Sequence, residues 1–572
     1  MVDPTVIQPA AGTRDRYAMQ PLARTTTDGQ VVVGDIPASR PGLQPRPALL
    51  AQLDRARRKP PVVLTGAWGA GKTQLAAAYA RARMADNWRL IAWVNARDSD
   101  TMRAGLAAVA EAAGLAAGGS QPGDAGPDDA GQAIRRWLEA DGSRRLLVFD
   151  DVSDPSLLRP LIPAAGGALV LITVAREPVA ELGTRLPVDV FSTEEALALL
   201  DGRTGLADEA GAAAVAAELG HLPLALDQAA AVIAGQHLGY AGYLAKLRAL
   251  PAEDYLVRKE DGEEQPHPPG VAEAVLLSLE AARAADPVGV CTAVMEVMAL
   301  LSPAAVRCDL LRAAGQAGTL LGGGRRVAAS MVDQALERLT RLSLLGFSLD
   351  GQAISVHCLV ARVVRGGLAR RGRLATACRA AASVAEMSAE ASAKPPDHAA
   401  VREMIGQVTA LRENAGAQGG DADEKLARIL LRPRLLALDH LIELGDNTPH
   451  AIAIGQALTA DLERLLGPDH PDTLNARHSL AAAYHAAGRD ADAIPLVEQI
   501  LAVRERLLGA DHPSTLASRN NLASAYRATG RPAEAIPLFE QNVAACERLL
   551  GADHPRTLAS RRSLDLARRE SV

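Results

Sequence analysis

Between residues 61 and 191, short, largely apolar, β-rich runs alternate with longer stretches in which apolar residues recur every three or four positions. The runs fall at 61–65, 89–94 (RLIAWV), 145–149 (RLLVF), 168–173 (ALVLIT) and 187–191 (PVDVF). Such runs suit strands buried on both faces, and strands separated by helices predict a parallel sheet covered by helices on both sides. Residues 114–132, GLAAGGSQPGDAGPDDAGQ, predict a long flexible loop within this layer. From 193 to 250 the spacing is helical, and the acidic, Pro-rich segment 252–270 then breaks it. Helical spacing resumes, with a short strand pair around LDG (349–351) inside 340–357. Helices followed by a small hairpin predict a winged-helix module. GAQGGDAD, 415–422, reads as the next linker.

The last part of the chain repeats itself. LLGPDHPDTL (465–474), LLGADHPSTL (507–516) and LLGADHPRTL (549–558) place His470, His512 and His554 at a spacing of 42 residues. Each unit reads as two amphipathic helices, with Pro in the first turn after the Asp-His pair and Gly488 or Gly530 at the break. Helix pairs that cannot bury their faces alone stack into a solenoid. One histidine per unit is too sparse to share a metal ion, so the turn explains these residues structurally. Arg477, Arg519 and Arg561 recur in the same register, as do Glu463, Glu505 and Glu547. Two readings stand open: an arginine ladder that grips an acidic partner in the concave groove, or internal Arg–Glu pairing.

Composition narrows the class. A chain of 572 residues is too long for one core. Aromatic residues make up only 3%, so the cores rest on Ala, Leu and Val, which suits closely packed helices. A net charge of −6 argues against a global drive toward nucleic acid or an anionic membrane. The five cysteines are scattered without metal spacing and read as reduced thiols in a cytoplasmic protein. No signal-like start or membrane-length apolar run is present, and residues 1–40 lack periodicity and read as a mobile leader. The dominance of Arg and Ala suggests a bacterial genome rich in GC.

The stretch TGAWGAGKT, residues 65–73, carries the chemistry. Gly66, Gly69 and Gly71 ahead of Lys72 and Thr73 fit G-x-x-x-x-G-K-[ST] between an apolar run and a helical one. Glycines let backbone N–H groups, including that of Ala70, line a concavity for phosphates. Lys72 adds a point charge and Thr73 a hydroxyl for Mg²⁺. The second half of such a site is RRLLVFDDVSD, in which a buried strand delivers Asp150 and Asp151 at its C-terminal end. One carboxylate can hold Mg²⁺ and the other can orient or deprotonate water. Read alone, two aspartates after a strand are commonly a helix-capping turn; beside a phosphate loop they complete the site.

These motifs, together with LVLITVAREP (169–178), LGHLPLALDQAA (219–230) and SVHCLVARVV (355–364), occur in the order found in NB-ARC domains. The region 34–375 resembles those signal-transduction NTPases of the STAND class, and 430–572 resembles tetratricopeptide repeats of the kinesin-light-chain kind. The resemblance implies ATP or ADP with Mg²⁺ as ligands. It gives Thr73 and Asp150 to the metal, Asp151 the role of base, and Arg176 that of a γ-phosphate sensor. It also places Arg46, from the leading segment 34–53, and Pro223 near the adenine, and it makes His357 a winged-helix contact to the ADP β-phosphate. From its own apolar surroundings His357 reads as a core histidine, and Arg176 as a surface arginine. Three departures from the family pattern stand out: His221 replaces the Gly of Gly-Leu-Pro, the sensor strand reads T-V-A-R, and Cys358 stands where relatives carry Asp.

The reading is a multidomain chain, an α/β P-loop NTPase with a helical subdomain and winged helix ahead of an all-α repeat solenoid. Its expected divisions are a leader at 1–40, a nucleotide domain at 41–192, a helical subdomain at 193–250 and a linker at 251–285. A winged helix at 286–375, a connector at 376–429 and repeats at 430–572 follow. Its expected behaviour is a slow ATPase switching between ADP-closed and ATP-open states. The repeats would hold a protein or peptide partner, and a homo-oligomer would form in the ATP state, with no membrane and no nucleic-acid role. The alternatives are a transcriptional regulator acting through the winged helix, to which the arginines at 362, 365, 370, 371 and 373 would contribute, and a repeat scaffold with a structural nucleotide.

Overall fold

The computed structural model describes residues 23–25, 30–39, 44–57, 60–115, 127–141, 143–174, 182–250, 270–301, 305–321, 324–391, 398–415, 421–444, 448–552 and 554–570. Two compact units divide the chain, with the main boundary between Arg371 and Gly372.

The first unit opens with Ala23–Thr25 (β1), Val31–Val33 (β2), Pro47–Ala56 (α1), Val62–Thr65 (β3), Lys72–Ala85 (α2) and Leu90–Asn95 (β4). Ser99–Ala112 (α3), Pro127–Ala140 (α4), Arg145–Val152 (β5), Leu169–Val174 (β6) and Thr184–Pro187 (β7) complete the layer. The sheet runs β1-β2-β4-β5-β6-β3-β7, and every pairing beyond β1 is parallel. Strand residues alternate between two apolar layers. Val62, Leu64, Leu146 and Val148 meet Leu75, Ala76 and Tyr79 of α2 on one face. Val63, Leu147 and Phe149 meet Met102 and Leu106 of α3 and Ile134 and Leu138 of α4 on the other. Burial on both faces explains the apolar runs. Polar residues arrive at the C-terminal ends: Asn95 pairs across to Asp150, and Thr173 stands opposite Leu64, beside Thr65. That edge is where open α/β sheets bind ligands.

Thr193–Thr204 (α5), Glu209–Glu218 (α6), Pro223–Gln236 (α7), Tyr240–Arg248 (α8) and Val271–Ala284 (α9) form the helical portion. Ser192 and Glu195 build a full capping box at the start of α5. Val290–Leu300 (α10), Val306–Arg307 (β8), Cys308–Ala317 (α11), Ala329–Arg341 (α12), Leu345–Phe347 (β9) and Ala353–Val356 (β10) follow, then Cys358–Arg370 (α13). β8 precedes α11 and α12, the β9–β10 hairpin follows them, and the three strands pair antiparallel in the order β8-β10-β9, which is the winged-helix arrangement. Its hairpin is tied to the segment after β2: Leu349 N donates to Ile36 O at 2.7 Å, and Ala38 N donates to Phe347 O at 3.0 Å.

Leu374–Ala391 (α14), His398–Ala415 (α15), Asp421–Leu444 (α16) and Thr448–Leu466 (α17) lead into the repeats. These are Pro471–Ala486 (α18), Asp490–Leu508 (α19), Pro513–Ala528 (α20), Pro532–Leu550 (α21) and Pro555–Glu570 (α22). From α16 onward each helix packs on the next. The repeat histidines are helix N-caps: Nδ1 of His470 and of His512 each accepts the amide two residues on, at 3.2 Å. Arg477 donates to Glu463 at 2.7 Å, Arg519 to Glu505 at 2.6 Å and Arg561 to Glu547 at 2.6 Å. With side chains only 9% and 5% exposed, Arg477 and Arg519 pair internally rather than line a groove, and Arg561, 43% exposed, makes the same pairing.

Several expectations need correction. The last strand is Thr184–Pro187 rather than 187–191, because Val190 stays 36% exposed and only Val188 continues the pairing, its N–H donating to Thr65 O. Within the expected leader, Val31–Val33 joins the sheet beside β4, and Ile36 is buried; residues 1–22 and 26–29 lie outside the described residues. The loop at 114–132 is cut short by α4, whose first residue is Pro127 at a position that needs no N–H. Val271–Ala284, expected as linker, is a helix with eight buried residues. The acidic segment 252–269 lies outside the described residues.

Candidate functional site

The phosphate loop joins β3 to α2, and its glycines are placed by backbone geometry. Gly66 has φ +145°, and a Cβ there would lie 2.2 Å from Val188 O. Gly71 has φ +96° and open space on its Cβ side, with nothing within 4 Å. It is the N-cap of α2, with no side-chain cap and no acidic residue in the first turn. A left-handed glycine opening onto uncapped N–H groups is the cradle an anion fits. Ala70 is buried beneath it. Lys72 Nζ donates to Gly66 O and Ala67 O, each at 2.8 Å, which folds the ammonium back along the loop. Burial pulls its pKa down, while Cys358, Asp151 and Asp150 act in the opposite direction.

Asp150 sits at the end of β5, and its Oδ1 accepts both the Thr73 hydroxyl at 2.9 Å and the Thr173 hydroxyl at 2.6 Å. Burial raises its carboxyl to about 6, aided by the charge of Asp151 and opposed by the bonds from Thr173 and Thr73. Thr73 and Asp150 thus present two hard oxygen donors beside the loop, a fit for Mg²⁺, which takes few protein ligands and completes its shell with water and phosphate. Among the described residues there is no group of three His, Cys, Asp or Glu side chains able to hold a metal by themselves. Asp151 adopts the left-handed region at φ +59°, where the β5–β6 register shifts. Its N–H donates to Thr173 Oγ1 at 2.8 Å, and its carboxylate meets Arg97 at 3.6 Å.

Two further elements converge on the loop. The Leu224 amide, in the first turn of α7, donates to Gly69 O at 3.4 Å. His221 has φ +54°, the conformation that explains glycine in the family pattern, and Pro223 follows at the first position of α7. His357 is the N-cap of α13, with Nδ1 accepting from Leu359 N at 3.2 Å. An accepting Nδ1 puts the neutral ring's proton on Nε2, as a donor. The neighbouring Cys358 thiol is pushed up to about 12 by burial and by Asp151, with Arg97 and Lys72 opposing. The start of α13 therefore stands within electrostatic reach of the loop lysine and the second aspartate.

Arg46 lies at the N-terminus of α1, where it donates to Asp189 O at 2.8 Å and to Glu195 at 3.2 Å, 5.4 Å from the Phe191 ring. Arg176 lies outside the described residues. The arginines after 360 are not one solvated face: Arg365 donates to Ala299 O at 2.7 Å, and burial lowers it to about 10, assisted by Arg97. Sequence reasoning assigned no role to Thr173 or Arg97. Thr173 was readable as a polar residue at the C-terminal end of an apolar run, whereas nothing in IAWVNAR marks Arg97 as a partner of Asp151.

The tetratricopeptide repeat family matches residues 446–506, 480–541 and 514–567, so the C-terminal helices are tetratricopeptide repeats. Regulatory protein AfsR of Streptomyces griseus and that of Streptomyces coelicolor are each 36% identical over 110 residues, 18% of this chain. The chain covers 11% of the length of those regulators. A Signal Transduction ATPase with Numerous Domains (STAND) protein with a tetratricopeptide repeat sensor from Pyrococcus horikoshii is similar over 92% of this chain and 80% of its own, with 14% identity and a TM-score of 0.36. Kinesin light chain TPR-like repeats from Podosopora anserina are similar over 36% of this chain and 83% of theirs, with 25% identity and a TM-score of 0.25. The tetratricopeptide repeats read from the sequence agree with the family match over 446–567. No helix among the described residues is long and apolar enough to cross a membrane.

Proposed function

We propose that this chain is a STAND-type nucleotide switch, binding ADP or ATP with Mg²⁺ at the phosphate loop and a protein or peptide partner on its repeats. The observation that carries the reading is convergence: α7 touches the loop at Gly69, and α13 begins beside Lys72 and Asp151. Two elements outside the sheet thus contribute to one phosphate-binding edge, so a ligand there can bias their positions. Lys72 and the α2 N-terminus would bind phosphate, Thr73 and Asp150 would hold Mg²⁺, and Asp151 would orient or deprotonate the attacking water. Arg46 and Pro223 would flank the base, and Arg176 would sense the γ-phosphate. His357, with its donor on Nε2, would hold the ADP phosphate and keep α13 docked. Mg²⁺ supplies charge neutralisation at the phosphates when bound.

The divisions 41–192, 193–250, 286–375 and 430–572 belong to the same proposal, as nucleotide domain, helical subdomain, winged helix and partner-binding repeats. In the ATP state the chain would open and assemble with copies of itself. The test is ADP release. His357→Ala removes a contact to ADP made only in the closed state, besides its cap bond to Leu359 N, so it should release ADP at least 10-fold faster, since a hydrogen bond to a charged group is worth about 1.5–3 kcal/mol. With ATP it should also give a larger hydrodynamic radius. Fast multiple turnover in the wild type, with ADP release unchanged in His357→Ala, would leave an ordinary ATPase carrying repeats.

A further inference from the structure

Arg97 stands two residues beyond the end of β4, and its backbone is fixed on both sides. Its N–H donates to Asn95 Oδ1 at 3.1 Å, and its carbonyl accepts the Ser153 hydroxyl. Ala96 N donates to Asp150 O at 2.8 Å, which locks this turn against the two aspartates. From that fixed base the guanidinium meets the Asp151 carboxylate at 3.6 Å. Both side chains remain about one-third exposed, at 34% and 33%, so the pair contributes little to stability. Asp151 nevertheless holds a left-handed backbone that costs an L-residue energy, with its amide tied to Thr173. A strained residue held at its amide from one neighbouring strand and at its carboxylate from the other is a residue whose direction matters more than its contribution to folding.

We propose that Arg97 is a positioning residue for Asp151: it fixes the direction of the carboxylate at the phosphate edge, from β4, as Thr173 fixes the backbone from β6. The proposal rests on the reading of Asp151 as the group that acts on the attacking water. Arg97 is also the point at which the winged helix meets this pair, because the charge of Arg365 and the neutral thiol of Cys358, both of α13, lie within its electrostatic reach. Arg365 is held to Ala299 O and carries the same charge as Arg97, so with α13 docked the repulsion favours Arg97 turned toward Asp151.

The experiment is single-turnover ATP hydrolysis by the full chain, with Mg-ATP affinity measured in parallel from tryptophan fluorescence. A misdirected catalytic group costs on the order of 100-fold. Arg97→Ala should therefore slow hydrolysis roughly 10- to 100-fold while affinity stays within about twofold, and Arg97→Lys should recover much of the rate. A residue acting only through Asp151 has no effect once Asp151 is disabled. Arg97→Ala placed on Asp151→Asn should thus be no slower than Asp151→Asn alone. An unchanged rate in Arg97→Ala, or a further loss on the Asp151→Asn background, overturns the proposal. A loss of affinity equal to the loss of rate assigns Arg97 to ligand binding and overturns it equally. Wild-type hydrolysis that survives Asp151→Asn intact instead defeats the parent reading of Asp151, a result distinct from those three.

Discussion

The amide of Leu224 reaches the carbonyl of Gly69 at 3.4 Å, which makes the first turn of α7 part of the wall of the phosphate loop. Gly69 has φ +80°, and a Cβ there would stand 3.0 Å from Leu222 Cδ2. The leucine methyl can yield, but the left-handed backbone cannot be made comfortable for alanine, at about 1–2 kcal/mol. Gly69→Ala should lower the melting temperature by a few degrees and weaken ADP binding at least several-fold. A fluorescence titration with ADP, alongside a thermal scan without it, checks both. Normal affinity in a folded variant would mean that α7 and the loop do not act together.

Lys72 separates ligand binding from folding. Its ammonium bonds only to carbonyls of its own loop among the hydrogen bonds described, so Lys72→Ala should leave the ligand-free melting temperature nearly unchanged. In the wild type, ADP at 100 times its Kd should add about 2.7 kcal/mol, and the variant should lose that gain. Trp68, inside the loop, offers a fluorescence readout of the same event. A wild type that responds to neither ADP nor ATP at millimolar concentration defeats the phosphate-site reading.

Asp35 gives a pH dependence with a definite sign. Burial raises its carboxyl from 3.8 to about 6, helped by Asp350 and opposed by Arg307, where the segment after β2 meets the winged-helix hairpin. A folded-state pKa above the unfolded one means that the native state binds the extra proton between about pH 4 and pH 6. This group's contribution therefore falls as pH rises through that window and is constant above it. Asp35→Asn should match the wild type near pH 4 and exceed it by about 1–3 kcal/mol above pH 6. Thermal scans of both proteins at pH 4 and pH 7.5 measure the difference, and comparing the pair cancels the parallel titration of Asp150. A variant less stable than the wild type at pH 7.5 would show that the charged form of Asp35 is held favourably by Arg307.

The strands of the nucleotide layer were legible because residues buried on both faces leave little choice but Val, Leu and Ile, and Val62–Thr65 and Leu169–Val174 show it. The phosphate loop was legible because Gly66 and Gly71 are required by backbone geometry, which a spacing motif records. The short strand Val31–Val33 was missed: three residues beside Pro and Gly carry no periodicity, and their burial comes from β4 and α3. Arg97 was missed for the same kind of reason, since its partner is set by strand order rather than by its neighbours in sequence. The repeat arginines carried a clear period, but a period fixes only register. Whether Arg519 faces a groove or a glutamate is decided by how α19 lies on α20.

That packing makes the arginines unequal. The side chains of Arg477 and Arg519 are 9% and 5% exposed, whereas Arg561 is 43% exposed, although all three meet a glutamate fourteen residues earlier. Removing a buried arginine leaves its partner without a counter-ion and opens a gap between helices, whereas an exposed pair exchanges readily with water. Because Glu505 keeps 41% of its surface in solvent, the full penalty of a buried pair does not apply. Arg519→Ala should cost about 1–3 kcal/mol locally and Arg561→Ala less than about 1 kcal/mol. The effect is local to the repeats, so the measurement is hydrogen exchange along α19 and α20. Loss of protection there in Arg519→Ala, with α2 and α10 unaffected, is the expected result. Equal and negligible changes for Arg519 and Arg561 would mean that the pairs do not hold the repeats together.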